Sequence, residues 1–338
     1  MIEYSGDWGV IGHEWAVELL RRSIAHDRLR HAYLIGGPSG VGKTALAIGL
    51  ARTVNCLSET IRPCGKCRAC RLIAAHNHVD VTIISAEDKT LKIDQIREMQ
   101  HTLALHPIEA RYRVVILQRF HQANPQAADA LLKTLEEPPS YVLLIVTAER
   151  IDAVPATIRS RCQPLALHPL PTATVRAELE RRHVADGERA TLLAQLSGGR
   201  LGWALEAAAD ESLLTDRTNA LDALEMLLEQ DRIGRFKYAE QLSAAAHKDK
   251  LPALLTLWQS YWRDVLLLIS ASHIGITNRD RKHTLAQLAA ALHIEDAQRV
   301  LNAVQRTSNY LKQNVNTRLA LEVLMLDLPH YKLLVAPP

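Results

Sequence analysis

Aromatic side chains are scarce in this chain. Phe, Trp and Tyr together make up 4% of its 338 residues, whereas hydrophobic residues as a whole reach 48%. Apolar surface therefore comes mainly from aliphatic residues, which suffices for ordinary globular cores, and the many Leu and Ala favour helices. A chain of this length can form two or three domains.

Long apolar runs and a strong net charge are also missing. Apolar runs such as residues 265–269 have the size of core segments, far below the roughly 20 residues that span a bilayer. The first residues lack the basic and apolar regions of a secretory signal. We therefore expect a soluble cytoplasmic protein. The formal net charge of +3 is by itself too weak to indicate nucleic-acid binding.

Cysteine is rare but clustered. Four of the five cysteines fall within residues 56–70, and they are Cys56, Cys64, Cys67 and Cys70. Two overlapping C-x2-C steps with a further thiol nearby are typical of a tetrahedral zinc site of structural type. A redox pair, buried free thiols, or replacement of one ligand by His76 or His78 are the alternatives.

The segment from Gly37 to Thr44 reads GPSGVGKT and matches the phosphate-binding P-loop. An apolar run precedes it and a helical pattern follows it, as the motif requires; the alternative is a chance match on a glycine-rich turn. We expect the backbone around Gly37, Gly40 and Gly42 to hold the phosphates of ATP. Lys43 would reach the β- and γ-phosphates, and Thr44 would offer its hydroxyl to magnesium.

The carboxylate that ATP hydrolysis needs is not where it is expected. A P-loop ATPase holds its magnesium with an acid at the end of a neighbouring strand, but residues 114–117 lead into Gln118 and Arg119. A guanidinium stays protonated and cannot act as a base. The sequence therefore predicts ATP binding with magnesium weakly held and no hydrolysis, unless acids elsewhere, such as Asp80 or Asp94, serve instead.

The order of predicted elements indicates an α/β fold with a parallel sheet. Strands are predicted just before the P-loop and at residues 81–84, 113–117 and 141–147, with helices at 14–29, 45–54, 93–105 and 127–135. Beyond residue 164 strand-like runs vanish. We predict three domains: a P-loop domain over 1–164 with its cysteine module at 56–70, a small helical lid over 165–208, and an all-α domain over 209–338.

These motifs resemble the clamp-loader branch of the AAA+ proteins, and within it the delta-prime type of subunit of bacterial DNA polymerase III. The resemblance is detailed over about residues 8–205 and thin over 211–305. The stretches that carry it are 31–34, the P-loop, the cysteine module, 131–139 (LLKTLEEPP), 158–162 (IRSRC) and 314–322.

The resemblance implies a heteropentameric ring that opens the sliding clamp and places it on primed DNA. This type of subunit is the rigid stator of that ring, beside the motor (gamma/tau) and delta subunits, and the C-terminal helices form a collar. Arg161 would be an arginine finger presented to ATP in the adjacent motor. Thr147 matches the sensor-1 position, and Arg200 the sensor-2 position. On chemistry alone, both arginines and the acidic pair Glu136–Glu137 would be read as solvated surface residues.

Two other functions stay open. An active motor ATPase would share most of these motifs but would carry Asp-Glu in place of Gln118 and Arg119. An unrelated P-loop switch would form no complex with clamp-loader subunits.

Overall fold

The chain forms two compact units. The structure is a computed structural model that describes residues 2–86, 90–244, 250–272, 274–313 and 315–332. One unit consists of the residues up to 175 together with 199–203, and the other of 176–198 together with the residues from 204 onward. The division into three domains at 164 and 208 stays a prediction. Asn314, at the start of the last resemblance segment, lies outside the described residues.

The first unit is built on a five-stranded sheet. Its strands are β1 (Ala32–Gly36), β2 (Val81–Ile84), β3 (Arg113–Leu117), β4 (Val142–Ala148) and β5 (Gln163–Ala166). They lie in the order β2-β3-β4-β1-β5, and every neighbouring pair is parallel. The predicted parallel α/β fold is confirmed. Its carboxyl edge, where the strands end, is the edge at which such sheets bind ligands.

Helices cover both faces of this sheet. They are α1 (Glu14–Ala25), α2 (Lys43–Asn55), α3 (Arg68–Ala74), α4 (Ile93–Leu103), α5 (Pro125–Glu136) and α6 (Ala156–Arg159). Alternate residues of each central strand point to opposite faces. In β3, Val114 and Ile116 therefore join the core that includes Leu46 of α2, whereas Val115 and Leu117 join the core that includes α4 and α5.

Three local predictions for this unit were wrong or incomplete. The strand β5 was missed because it is a short edge strand that contains Pro164 and buries little more than Leu165. The helix α3, which carries Cys70, was also missed. Helix α1, which was predicted over residues 14–29, ends at Ala25.

The remaining elements are helices. They are α7 (Thr172–Arg181), α8 (Gly187–Leu196), α9 (Leu201–Ala209), α10 (Ser212–Glu229), α11 (Arg232–Ser243), α12 (Leu251–Ile269), α13 (Lys282–Ala291), α14 (Ile294–Lys312) and α15 (Thr317–Asp327). The core of the second unit centres on α12, where Trp258 and Trp262 are fully buried. Among the described residues, no helix is both long enough and apolar enough to cross a membrane.

Candidate nucleotide site and metal centre

The P-loop lies at the carboxyl edge of the sheet, between β1 and the first turn of α2. Gly40 has φ +77° and Gly42, the N-cap of α2, has φ +110°, and both values favour glycine. The ammonium of Lys43 donates to the carbonyl oxygens of Gly37 at 2.6 Å and Pro38 at 2.8 Å. The loop thus has the curled shape in which successive N–H groups form an anion nest.

Two contacts from distant parts of the sequence brace this loop. The buried ring of His13 lies with Nε2 2.9 Å from the carbonyl oxygen of Val41. The backbone N–H of Gly202 donates to the carbonyl oxygen of Gly40 at 2.8 Å, and a Cβ on Gly40 would lie only 2.9 Å from the backbone nitrogen of Trp203. Sequence reasoning found neither contact, because no local pattern connects residues so far apart in the chain.

Arg200 lies beside this brace. Its Cβ would be 3.5 Å from a Cβ built on Gly40, and its guanidinium lies 5.7 Å from the centre of the Trp203 ring. Burial lowers the pKa of Arg200 from its usual range, although a guanidinium still remains charged. The residue matched to the sensor-2 position is therefore next to the P-loop.

The ammonium of Lys43 loses its proton at a lower pH than that of an exposed lysine. Burial lowers the pKa of Lys43 to about 8, and the negative charge of Glu149 opposes this shift. Glu149 directly follows β4 and is half-exposed, with Oε2 3.9 Å from Nε2 of His121. This carboxylate at the carboxyl edge was not singled out from the sequence.

Gln118 occupies the position expected for an acid, and it is hydrogen-bonded to the P-loop. Its Nε2 donates to the hydroxyl of Thr44 at 3.3 Å, and its Oε1 accepts from the hydroxyl of Ser85 at 2.8 Å. Gln95 in turn donates to the backbone carbonyl of Ser85 at 3.0 Å. The ends of β2 and β3 thereby hold a neutral amide against the hydroxyl that would bind magnesium.

Arg119, which follows Gln118, is hydrogen-bonded to Thr147 at the end of the neighbouring strand. Arg119 is exposed with φ +51°, and its backbone N–H donates to the hydroxyl of Thr147 at 3.1 Å. Thr147, matched to the sensor-1 position, is buried one residue before the end of β4. Its hydroxyl therefore ties the ends of β3 and β4 together.

Asp80 and Asp94, the two acids considered as substitutes for a carboxylate at position 118, do not lie at the P-loop. Asp80 is buried before β2, at the amino edge of the sheet, where it accepts from three backbone N–H groups and pairs with Arg113 at 2.9 Å. These hydrogen bonds, against the opposing effect of burial, lower the pKa of Asp80. Asp94 is a solvent-exposed residue in the first turn of α4.

The residues at the carboxyl edge of the sheet fit a nucleotide phosphate but fit magnesium poorly. A nucleotide phosphate fits, because the curled loop, the N-terminus of α2 and the ammonium of Lys43 all favour an anion. Magnesium fits poorly, because it prefers carboxylate and hydroxyl oxygens, whereas the Thr44 hydroxyl faces the donor end of an amide. Among the described residues, no carboxylate is hydrogen-bonded to Thr44.

Arg161 lies at the opposite, amino edge of the sheet. It follows α6 and comes two residues before the start of β5. Its guanidinium pairs with the carboxylate of Glu136, the last residue of α5, at 2.6 Å, and donates to the carbonyl oxygen of Thr157 at 2.8 Å. The four residues of β5, at about 3.3 Å each, separate this edge from the P-loop edge by roughly 13 Å. Arg161 is therefore remote from the P-loop of its own chain.

The four clustered cysteines are brought together as predicted. The sulfur atoms of Cys56, Cys64, Cys67 and Cys70 all lie within 4.8 Å of one another, which is close enough to hold a metal ion. Backbone N–H groups point at three of them, including that of Cys67 at 3.3 Å from the sulfur of Cys64. The fifth cysteine, Cys162, is buried and is not part of this group.

Within the cysteine cluster, the pKa values of Cys64 and Cys70 are shifted in opposite directions. Although partial burial opposes it, the backbone N–H groups of Cys67 and Lys66 lower the pKa of Cys64 to about 6. Burial raises the pKa of Cys70 to about 12. A cation at the centre would favour the thiolate at every position. Arg68 pairs with Glu109 rather than with a thiol.

Comparisons with known proteins agree with this arrangement. The family model described as DNA polymerase III, delta subunit, matches residues 12–171, and the model described as DNA polymerase III, delta subunit, C terminal, matches residues 211–330. DNA polymerase III subunit delta' of Bacillus subtilis is 28% identical over 92% of this chain and 94% of its own length. DNA polymerase III subunit tau of Escherichia coli is 34% identical over 63% of this chain.

A solved structure titled a DNA polymerase III, gamma subunit-related protein from Thermotoga maritima aligns over 92% of this chain and 98% of its own, with 18% identity and a TM-score of 0.42. The chain spans only 35% of the length of the E. coli tau relative.

The parallel sheet with a P-loop at its carboxyl edge, followed by helices, defines an α/β protein of the P-loop class. The two family matches, which together cover most of the chain, go further. The chain belongs to the DNA polymerase III clamp-loader subunit family and is similar to a delta-prime subunit over nearly its whole length.

Proposed function

We propose that this chain is the stator of a DNA polymerase III clamp loader. It binds ATP without hydrolysing it and presents Arg161 to ATP held by a neighbouring motor subunit of the gamma/tau type. With motor and delta subunits it forms a heteropentameric ring in the cytoplasm that loads the sliding clamp onto primed DNA.

The position of Arg161 carries this proposal. The guanidinium lies at the amino edge of the sheet, remote from the P-loop of its own chain. An arginine that stabilises the charge of a transferring phosphate must reach that phosphate. Arg161 can do so only on a nucleotide held by another subunit, and its side chain is 36% exposed, as such a role requires.

The proposal that this chain does not hydrolyse ATP rests on the residues at the carboxyl edge. Phosphoryl transfer by P-loop enzymes needs a metal held by an acid and a group that orients the attacking water. Here the acid position is Gln118, whose amide donates to Thr44. In this proposal Lys43, Thr147 and Arg200 bind the nucleotide, and Arg161 takes no part in this pocket.

ATP binding and hydrolysis by the purified chain, with magnesium present, test the proposal first. We expect binding without turnover. The double change Gln118→Asp, Arg119→Glu should restore turnover only if the rest of the site is competent for it. Steady turnover by the unchanged chain would contradict the stator assignment and favour a motor ATPase.

Glu149 is the one observation that favours the motor alternative. It is a half-exposed carboxylate at the carboxyl edge, and its charge influences Lys43. If the unchanged chain does hydrolyse ATP, Glu149→Gln should abolish that turnover, whereas Glu137→Gln at the other edge should leave it intact.

We also propose that the cysteine cluster binds one zinc ion through Cys56, Cys64, Cys67 and Cys70. Four protein thiolates complete a tetrahedral site and leave no position for substrate, so the ion is structural. Bound zinc would hold α3 to the end of α2 without taking part in chemistry.

The variant Cys67→Ser should reduce zinc from about one ion per chain to none and lower the melting temperature of the first unit, because binding energy at structural zinc sites is folding energy. Elemental analysis and thermal melting measure both effects. Cys162→Ser is the matched control and should keep the metal. Metal-free protein purified without chelators would contradict the assignment.

A further inference from the structure

We infer that the nucleotide pocket of this chain binds ATP independently of magnesium, because Gln118 takes the position of the metal's ligand. This inference rests on the proposed nucleotide binding and adds to it the form of the ligand, which is the free nucleotide rather than its magnesium complex.

The first step is the geometry around Thr44. In a P-loop the hydroxyl at this position gives a lone pair to magnesium, and a nearby carboxylate holds the ion from the other side. Here Nε2 of Gln118 lies 3.3 Å from that hydroxyl oxygen. The amide hydrogens, which are the positive end of its dipole, therefore point to the hydroxyl oxygen that would otherwise bind the cation.

The second step is that this amide is held in place. Its Oε1 accepts from Ser85 at 2.8 Å, and the carbonyl oxygen of Ser85 accepts from Gln95 at 3.0 Å. Gln118 is half-buried at the end of β3. Turning the amide would reverse both hydrogen bonds, because the Thr44 and Ser85 hydroxyls can each donate or accept, and it would still present an uncharged amide oxygen in place of the carboxylate that magnesium prefers.

The third step is charge. Magnesium normally offsets the negative charge of the β- and γ-phosphates. Around this P-loop, Lys43 contacts the loop itself and Arg200 lies against Gly40. The ammonium of Lys43, with the N–H groups of the loop and the N-terminus of α2, supplies positive charge without a metal. The ligand that fits is therefore the metal-free triphosphate.

Calorimetric titration of the full chain with ATP, in excess magnesium and in excess EDTA, tests the inference. We expect the two dissociation constants to agree within about threefold. Affinity more than about tenfold tighter with magnesium would overturn the inference while leaving the nucleotide pocket intact. No binding in either buffer would instead refute the proposed nucleotide binding, and this inference with it.

Variants test whether Gln118 is the reason that ATP binding is independent of magnesium. The change Gln118→Glu keeps the shape and the bond from Ser85 but replaces the donor with a carboxylate, so binding should become magnesium-dependent by about tenfold or more. Adding Thr44→Val should remove that dependence. Lys43→Ala is the control that should weaken binding to a similar extent in both buffers. Magnesium-independent binding by the Gln118→Glu variant would show that Gln118 is not responsible.

Discussion

In the proposed function, the two edges of the sheet each carry half of a phosphoryl-transfer site. The carboxyl edge has the P-loop, Lys43 and Thr44, but an amide in the place of the acid. The amino edge has an exposed arginine and no phosphate-binding loop among the described residues. Neither half is complete, and one sheet holds them roughly 13 Å apart.

This separation explains how one chain keeps both halves. A parallel sheet places every strand end on one edge and every strand start on the other, so residues after β1 and residues before β5 cannot meet. In the proposed function, Arg161 therefore acts on a nucleotide held by a second subunit whose carboxyl edge faces the amino edge of this chain. The predictions below treat the edges as independent and differ in which edge each variant disturbs.

The largest expected effect is at the amino edge. With Arg161→Ala, hydrolysis at the motor site that faces this chain should fall by about 10³–10⁵, the range for arginine fingers in other phosphoryl-transfer systems. Single-turnover hydrolysis measures this in a reconstituted ring whose other motor sites are disabled. ATP binding by this chain itself should not change.

Arg150→Ala is the control for that variant, because Arg150 is also exposed and paired with a carboxylate, that of Asp152. It should leave hydrolysis unaffected, and size-exclusion chromatography should show intact rings for both variants. Normal hydrolysis by intact Arg161→Ala rings would refute a catalytic role for the amino edge.

Sequence reasoning was strong where the signal is local. The P-loop, the cysteine cluster and four of the five strands are each encoded in consecutive residues, and the structure places them as predicted. The substitution of Gln118 for an acid was also visible. Its bonds to Thr44 and Ser85 were not, because they join the ends of two strands to the P-loop, and only the strand order brings these together.

The same limit applies to the amino edge. Glu136 was interpreted as a solvated helix end, and its side chain is indeed 50% exposed, but it pairs with Arg161. Residues 25 positions apart meet because α5 and α6 both end at the amino edge. The contact of Gly202 with Gly40 joins even more distant residues.

The second largest effect is expected from a variant at the carboxyl edge. Lys43→Ala should weaken ATP binding by this chain by about 10–100-fold, because a hydrogen bond to a charged group contributes about 1.5–3 kcal/mol. Hydrolysis at the neighbouring motor site should be nearly unaffected, which is the reverse of the Arg161→Ala result. An equal loss of both activities in either variant would show that the edges are coupled.

The pH dependence of binding should report the same lysine. Because the pKa of Lys43 is about 8, the ammonium is present at pH 7 and is largely lost at pH 9, so ATP affinity should fall as the pH rises and not as it decreases from 7. Deprotonation of one group across this range would weaken binding by up to about tenfold. Titrations of the chain at several pH values measure this. Lys43→Arg, which stays charged, should flatten the profile, and a flat profile in the unchanged chain would contradict the assignment.

The smallest effect should come from Glu136. Exposed ion pairs contribute about 0.2–1 kcal/mol, and the pair must open if Arg161 is to reach a partner's nucleotide. Glu136→Gln should therefore raise hydrolysis at the facing motor site by up to about fivefold. Glu137→Gln, the exposed neighbour without this pairing among the described contacts, should leave the rate unchanged. If Glu136→Gln instead lowers the rate, the carboxylate orients Arg161 for the partner rather than restraining it, and the amino edge is preorganised as the carboxyl edge is.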